Sequence, residues 1–480
     1  MQGYHNARRA ERCAFFNLQE IIRYLKPRQS ILKIMKLPRL IFLCAFIIFA
    51  FQLTAQTINQ KRLDSLFDVL SKKNPAMGSV AISQNGKIVY RKVIGNAMMN
   101  EHDIIPANEK TEYRIGSITK MFTAAMVFQL IEEHKLSLSD TLAKFFPSLP
   151  NAHRITIEYM LRHRSGLPNF TNNSNTHFDD WKDTPKTHEE LMVMISAQKP
   201  DFEPNAKADY NNSNYLILGY IIEKVTKKPY RELLNERIIK KIDLKNTHYG
   251  TNGSTYVGNE CASYKYFDYK WIKDKKPVYL DDFGGAGAII STPPDMLKFI
   301  NALFAYKLVS KQSLDQMKTI VDDYGMGMFP YGSEKHPGFG HNGKTEGFAS
   351  SISYYPADKL AIAYCTNGEV YSKNYILDAV RAICFNEPYS IPTFNTMKMT
   401  DQQLDQYTGT YNSSSDGITV ICSKSDGSLW LETRGQKLKL DALGDNQFFD
   451  PRFGFFFDFS DNSKKLRIVD VEDEYGLEKK

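Results

Sequence analysis

The sequence predicts an α+β fold, an antiparallel sheet packed by helices, with a small all-β domain at its C-terminal end. Three observations predict it. Asn85-Gly86 stands between the short apolar runs 78–83 and 87–94, a hairpin signal because both turn positions need positive φ. Met121–Ile131 is made of helix formers without Gly or Pro and is apolar nearly all round, so it reads as a helix inside a core rather than on its surface. From about residue 400, the short segments 407–411, 417–422, 429–433, 438–440, 453–459 and 466–471 are separated by Gly, Asn, Asp and Ser, the texture of a separate barrel-like unit.

The chain begins with a leader. Met35-Lys36-Leu37-Pro38-Arg39 precedes the apolar run 40–51 and then Leu53-Thr54-Ala55. That run falls short of the ~20 residues that span a bilayer, so residues 1–55 are read as a leader with a secretory signal peptide cut near Ala55. The mature protein is then secreted or periplasmic; a retained anchor is the alternative. Residues 1–34 lie upstream of a complete signal with its own Met35, which leaves a mis-assigned start open. The net charge of +7 sits in this leader: residues 1–55 hold nine basic and two acidic residues, leaving 52 of each sign in residues 56–480. A neutral body gives no support to nucleic-acid binding.

Residues 56–385 form the main domain, 386–399 with Pro388 and Pro392 a linker, and 400–480 the β unit. Leu63–Leu70 has helical spacing and is followed by the hairpin. Ser117-Ile118-Thr119-Lys120 opens the buried helix. Residues three apart share a helix face, so this spacing sets a hydroxyl beside an amine. A serine hydroxyl attacks only if something takes its proton, and a lysine takes it only where its surroundings disfavour the charged form. The free N–H groups of a helix start also favour negative charge there. So short a pattern also arises by chance, as in Ser30-Ile31-Leu32-Lys33, and an N-cap alone would explain Ser117.

Residues 155–161 lead into Arg162-His163-Arg164-Ser165-Gly166-Leu167-Pro168, where Gly166 and Pro168 end the helix. The polar stretch 171–206 reads as a surface excursion over the site. Tyr210-Asn211-Asn212 opens a second apolar helix and by itself reads as a capping turn. Gly284-Gly285-Ala286-Gly287 is wrongly spaced for a dinucleotide loop and reads as close packing or a turn, and Pro293-Pro294-Asp295 starts a helix. His341-Asn342-Gly343 stands among glycines before the hairpin strands 350–355 and 360–366, where backbone can approach a ligand. Cys261, Cys365, Cys384 and Cys422 lack Cys-x-x-Cys spacing, so zinc and thioredoxin readings fail. Cys365 is expected as a buried free thiol, and any disulfide pairing stays open.

Ser117-Ile118-Thr119-Lys120, Tyr210-Asn211-Asn212 and His341-Asn342-Gly343, in that order and each at the opening of an element, resemble the serine β-lactamase and penicillin-binding protein superfamily. The branch they look most like is that of class C β-lactamases, DD-carboxypeptidases and family VIII esterases. The flanking segments 161–168, 216–223 and 291–295 are similar to it as well, so the resemblance covers about residues 60–385. The C-terminal unit is similar to the lipocalin-like modules some members carry. The resemblance implies a β-lactamase/transpeptidase-like fold with an all-helical region, and a Ser117 that is acylated. It implies that Lys120 and Tyr210 share the proton transfer, with Lys120 within hydrogen-bond reach depressing the Tyr210 pKa. Asn212 would hold Lys120 and the substrate amide, His341 and Gly343 would bind substrate, and the backbone N–H groups of Ser117 and Lys344 would hold the oxyanion. No metal or organic cofactor is implied.

Two positions depart from the pattern. Asn211 stands where Ser is common, and His341 where β-lactamases and many transpeptidases carry Lys. A neutral group in place of a cation weakens recognition of a substrate carboxylate, unless Lys344 or a loop arginine restores the charge. The expected protein is thus an exported serine hydrolase acting on esters, amides or D-amino-acid peptides, that is, an esterase or DD-carboxypeptidase with a small-molecule or peptidoglycan-type substrate. The alternatives are a true class C-type β-lactamase and a penicillin-binding sensor that is acylated without turnover. Membrane contact is expected only through an uncleaved signal, and the oligomeric state is open.

Overall fold

The computed structural model describes residues 58–480 apart from 74–75, 101–102, 173–177, 251–255, 393, 415–416, 445 and 470–473. The leader and its cleavage near Ala55 lie outside the described residues. Helix α1 (Gln60–Lys73) precedes strand β1 (Ala76–Gln84). Asn85 and Gly86 take φ of 53° and 75°, and the chain turns straight into β2 (Lys87–Ile94), as a hairpin turn of this composition requires. These two strands are joined by four from the far end of the domain: β3 (Phe329–Gly332), β4 (Pro337–Thr345), β5 (Phe348–Tyr355) and β6 (Leu360–Glu369). The order is β3-β4-β5-β6-β1-β2, every pair antiparallel, with Val80 opposite Tyr364 and Ile82 opposite Ile362.

The period of two decides what covers each face. Val80, Ile82, Ile362 and Tyr364 meet Leu63, Leu66, Phe67 and Leu70 of α1. On the other face the small side chains of Ala81, Ala363 and Cys365 belong to the core built around α2 (Thr119–Glu132), α3 (Asn212–Thr226) and α4 (Pro293–Phe304). Every residue of α2 from Thr119 to Leu130 is buried, as its unbroken apolarity predicts. The described part of the polar stretch 171–206 is anchored rather than merely laid over the site. Phe170 just before it is buried, and the helix His188–Ser196 buries Leu191 and Ile195 behind a Thr187/Glu190 capping box.

Helix α5 (Lys373–Cys384) completes the layer that α1 begins, through Ile376, Val380 and Ile383. The stretch 386–399, expected as a linker, is a strap. Tyr389, Ile391 and Phe394 pack on that same core, and the Met397 N–H donates to the Ala442 carbonyl at 2.8 Å.

The C-terminal unit is a closed eight-stranded antiparallel barrel: β7 (Gly409–Asn412), β8 (Thr419–Ser425), β9 (Ser428–Thr433), β10 (Gln436–Gly444), β11 (Gln447–Asp450), β12 (Phe455–Ser460), β13 (Lys465–Val469) and β14 (Glu474–Lys479). Pairing of Tyr411 with Lys479 closes it. Its interior is filled by side chains, among them Tyr411, Leu429, Leu431, Phe448, Phe457 and Phe459. Alternation splits the aromatic run of β12: Phe457 and Phe459 point inward, whereas Phe456 points out and joins Tyr371 and Phe394 in the core shared with α1, α5 and the sheet. Cys261, Cys365, Cys384 and Cys422 are buried free thiols.

Candidate active site

Ser117 lies in a 3₁₀ turn, Gly116–Ile118, one step before the α-helical start at Thr119. The turn hands its axis on to α2, so the predicted proximity survives: Lys120 Nζ is 3.0 Å from Ser117 Oγ. Lys120 is fully buried, while Ser117 is only partly covered. The amine has two further partners, Asn212 Oδ1 at 2.8 Å and the Ala286 carbonyl at 2.8 Å. Burial holds Lys120 well below the usual lysine range. A neutral amine has two N–H donors and one lone pair. Because Asn212 Oδ1 and the Ala286 carbonyl can only accept, they take the two donors and leave the lone pair aimed at the Ser117 hydroxyl.

Each partner is itself placed. Asn212 donates through Nδ2 to Thr171 Oγ1 at 3.0 Å and through its backbone N–H to Asn169 Oδ1 at 3.3 Å, which fixes which amide atom faces the lysine. The glycines before and after Ala286 are the close packing foreseen. A Cβ on Gly285 would come within 2.6 Å of the Tyr215 carbonyl and 3.2 Å of Thr123 Oγ1, so only glycine lets this turn sit between α2 and α3 and present Ala286. Asn211 caps α3, its side chain accepting the Ser213 N–H at 2.8 Å, and donates to the Leu167 carbonyl. Its place in the second motif is spent on the helix end, facing away from Lys120.

Tyr210 stands over the same amine, with Lys120 Nζ 4.9 Å from its ring centre. Here the structure corrects an expectation. The Tyr210 pKa is raised, not depressed: burial pushes the phenol up, against a weaker pull from the Ser117 side chain. The physical reason is the burial of Tyr210 itself, which penalises the phenolate and is offset by no charge from Lys120. Burial thus biases the amine toward its uncharged, basic form and keeps the proton on the phenol, which can act as an acid.

His341 and Gly343 lie on one face of β4. The His341 ring is 4.6 Å from Phe329 and 6.2 Å from Tyr210, centre to centre, and its Nδ1 lies 2.5 Å from the Asn342 carbonyl. Because a carbonyl accepts, Nδ1 carries the hydrogen and Nε2 is the bare nitrogen. Burial brings the His341 pKa down to about 3, so the group is neutral at every physiological pH. Gly343 packs on the loop before Ser117, where an added Cβ would lie 1.9 Å from the Ile115 carbonyl oxygen. Likewise a Cβ on Gly116, at φ +50°, would lie 2.9 Å from the Lys344 backbone nitrogen. The backbones of Ser117 and Lys344 thus flank one spot. The Lys344 side chain does not restore the missing cation there. One residue on from Gly343 it projects from the other face of β4, into a recess with Glu369.

Three features escaped sequence reasoning. His163, at φ 56°, accepts the Asn211 N–H at Nδ1 over 3.1 Å and lies 4.6 Å from the Tyr210 ring. Phe329 and Tyr324 wall the cleft beside His341. The Ala286 carbonyl is the third. A histidine just before a Gly-Leu-Pro turn and an isolated cluster of glycines were the visible signals; neither says what it will face.

The depressed His341 pKa gives a test of this burial. Above about pH 6.5 the ring is neutral in both folded and unfolded chains and contributes nothing. As pH falls from 6.5 toward 3, only the unfolded chain takes up the proton, and stability is lost. Between pH 7.5 and 5.5 the stability difference between the protein and its His341→Asn variant should shift by about 1.4 kcal/mol in favour of the variant. Urea unfolding at the two pH values measures it, and an unchanged difference contradicts a buried neutral ring.

Comparison with known proteins bears on the family and the fold. The Beta-lactamase family model matches residues 63–384. Penicillin-binding protein 4* of Bacillus subtilis (strain 168) is 27% identical over 455 residues, covering 87% of this chain and 94% of that protein. The teichoic acid D-alanine hydrolase of Staphylococcus aureus is 28% identical over 325 residues, covering 65% and 76%. Among solved structures, the D-amino acid amidase from Ochrobactrum anthropi SV3 complexed with D-phenylalanine superposes with a TM-score of 0.59 at 23% identity, over 68% of this chain and 99% of that one. The octameric penicillin-binding protein homologue from Pyrococcus abyssi does so with a TM-score of 0.62 at 22% identity, over 87% and 99%. The two superpositions speak to the fold alone.

Proposed function

Because the chain belongs to the Beta-lactamase family and is a serine hydrolase of that kind, we propose that it works through a Ser117 acyl-enzyme on esters, amides or D-amino-acid peptides. The observation that carries this reading is the Lys120 amine, buried and 3.0 Å from Ser117 Oγ. As Oγ bonds to the substrate carbonyl, its proton passes to the Lys120 lone pair. The backbone N–H groups of Ser117 and Lys344 receive the oxyanion. When the tetrahedral adduct collapses, the neutral Tyr210 phenol protonates the departing alcohol or amine, and Lys120 returns its proton to the phenolate. Water then repeats the sequence on the acyl group and frees Ser117.

The neutral, aromatic surroundings of His341 favour substrates that carry no carboxylate beside the reacting carbonyl. Esters and amides of D-amino acids rank above penicillins on that ground, and the name of the teichoic acid D-alanine hydrolase among its relatives points the same way. With residues 40–55 read as a signal segment, the mature protein is exported to the periplasm or beyond; N-terminal sequencing of the exported protein should begin after Ala55.

A fluorescent fluorophosphonate or penicillin should label the wild-type protein, and Ser117→Ala should lose the label completely. Intact labelling of that variant overturns the nucleophile. Turnover across p-nitrophenyl esters, D-alanyl amides and D-Ala-D-Ala peptides should exceed nitrocefin hydrolysis. The reverse order makes the protein a β-lactamase, and a stable adduct over hours makes it a sensor.

A further inference from the structure

The backbone that carries Tyr210 belongs to neither a helix nor a strand: residues 207–211 are irregular, and α3 begins only at Asn212. No repeating bond pattern of its own sets where the phenol stands, so neighbouring chain has to set it. The short helix Ile157–Leu161 runs into the turn 162–166, and main-chain bonds zip that turn to the incoming segment. The Asp201 N–H donates to the Gly166 carbonyl at 2.9 Å, and the Asn205 N–H to the Arg164 carbonyl at 2.8 Å. Arg164 doubles the second rung, its Nε donating to Asn205 Oδ1 and its Nη2 to the Asn205 carbonyl, both at 2.7 Å. The last two rungs both belong to His163. Its carbonyl accepts the Asp209 N–H at 2.9 Å, and its ring Nδ1 accepts the Asn211 N–H at 3.1 Å. One residue thus grips the chain immediately before and immediately after Tyr210.

We propose that His163 is a positioning residue for proton transfer, which holds the Tyr210 phenol beside Ser117 and Lys120 by fixing the chain on both sides of it. The inference rests on the proposed role of Tyr210 as the acid that protonates the leaving group. His163 acts through Tyr210 rather than on substrate, and its ring packs 4.6 Å from the Tyr210 ring, centre to centre. Two features of the position suit a histidine. Its backbone sits at φ 56°, in the left-handed region that Asn, Asp and His enter more readily than other side chains. Its Nδ1 has to be bare to accept the Asn211 N–H, which leaves the ring hydrogen on Nε2. The stakes are large, since a misplacement of about 1 Å in a reacting group costs about 10²-fold in rate.

Two substitutions isolate the Asn211 bond. His163→Asn keeps an oxygen acceptor in place of Nδ1 and His163→Gly has none, while both accept φ 56° and both lose the ring. The rate to follow is kcat/KM for a methyl and a p-nitrophenyl ester of the same acyl group, because methoxide needs a proton to leave and p-nitrophenolate does not. His163→Gly should lower the methyl ester value about 10²-fold and the p-nitrophenyl value less than about threefold. His163→Asn should restore the methyl ester value to within about tenfold of wild type. In a Tyr210→Phe background His163→Gly should cost nothing further. Equal losses on the two esters, a loss in His163→Asn as large as in His163→Gly, or the full loss repeated in the Tyr210→Phe background overturns the assignment while Ser117 labelling and the hydrolytic reading stand. If His163→Gly does not fold, nitrogen NMR of histidine-labelled wild-type protein decides instead. The His163 signal, identified by its loss in His163→Asn, should show hydrogen on Nε2 alone, and hydrogen on Nδ1 overturns the bracket. A methyl ester rate unchanged by Tyr210→Phe removes the phenol's role and this assignment together.

Discussion

Lys120→Met is expected to lower kcat/KM for ester substrates about 10²- to 10⁴-fold, the range of a lost general base. Methionine keeps an unbranched apolar stem in the buried slot but supplies no lone pair at the Ser117 hydroxyl. It also strands the two acceptors that the amine satisfies, Asn212 Oδ1 and the Ala286 carbonyl, at about 1–3 kcal/mol each. The variant should therefore be both slow and less stable, and urea unfolding beside acylation kinetics separates the two effects. Lys120→Arg should be no better, because a guanidinium stays charged and cannot take the proton. Activity within tenfold of wild type in either variant would remove Lys120 from the mechanism.

Gly343→Ala is expected to combine a loss of about 1–3 kcal/mol with an activity drop on the order of 10²-fold. The new Cβ would stand 1.9 Å from the Ile115 carbonyl oxygen and 2.5 Å from Ser350 Oγ. Ser350 Oγ already donates to that same carbonyl at 2.9 Å, so the serine cannot turn aside without giving up the bond. Backbone has to move, and what moves is the contact that sets the Lys344 N–H beside Ser117. Gly476→Ala in the barrel is the control: nothing lies within 4 Å of its added Cβ, and it should melt like the wild type.

Local signals carried most of the fold. Asn85-Gly86, the unbroken apolarity of α2 and the short alternating strands after residue 400 each determine their own geometry with little help from distant residues. The Ser117/Lys120 pair was legible for the same reason, since one turn of helix sets its spacing. What stayed hidden depends on burial and on neighbours far along the chain. The raised Tyr210 pKa follows only once Tyr210 itself is known to be buried, with no offsetting charge from Lys120. The Ala286 carbonyl reaches Lys120 from 166 residues away. Asn211 illustrates a different limit: capping turn and catalytic motif were weighed as rivals, yet Asn211 caps the helix while its neighbour Asn212 reaches the lysine.

The outward-pointing Phe456 has an implication for how such chains can be recombined. Its ring, together with Val469, completes a core whose other buried members come from α1, α5, the sheet and the segments flanking α5, Tyr371 among them. A foreign module spliced in after residue 400 would leave Tyr371 and Phe394 facing water unless it brought an aromatic ring to the same place. The two halves therefore form one inherited package, in which a substitution on one side obliges an answering change on the other.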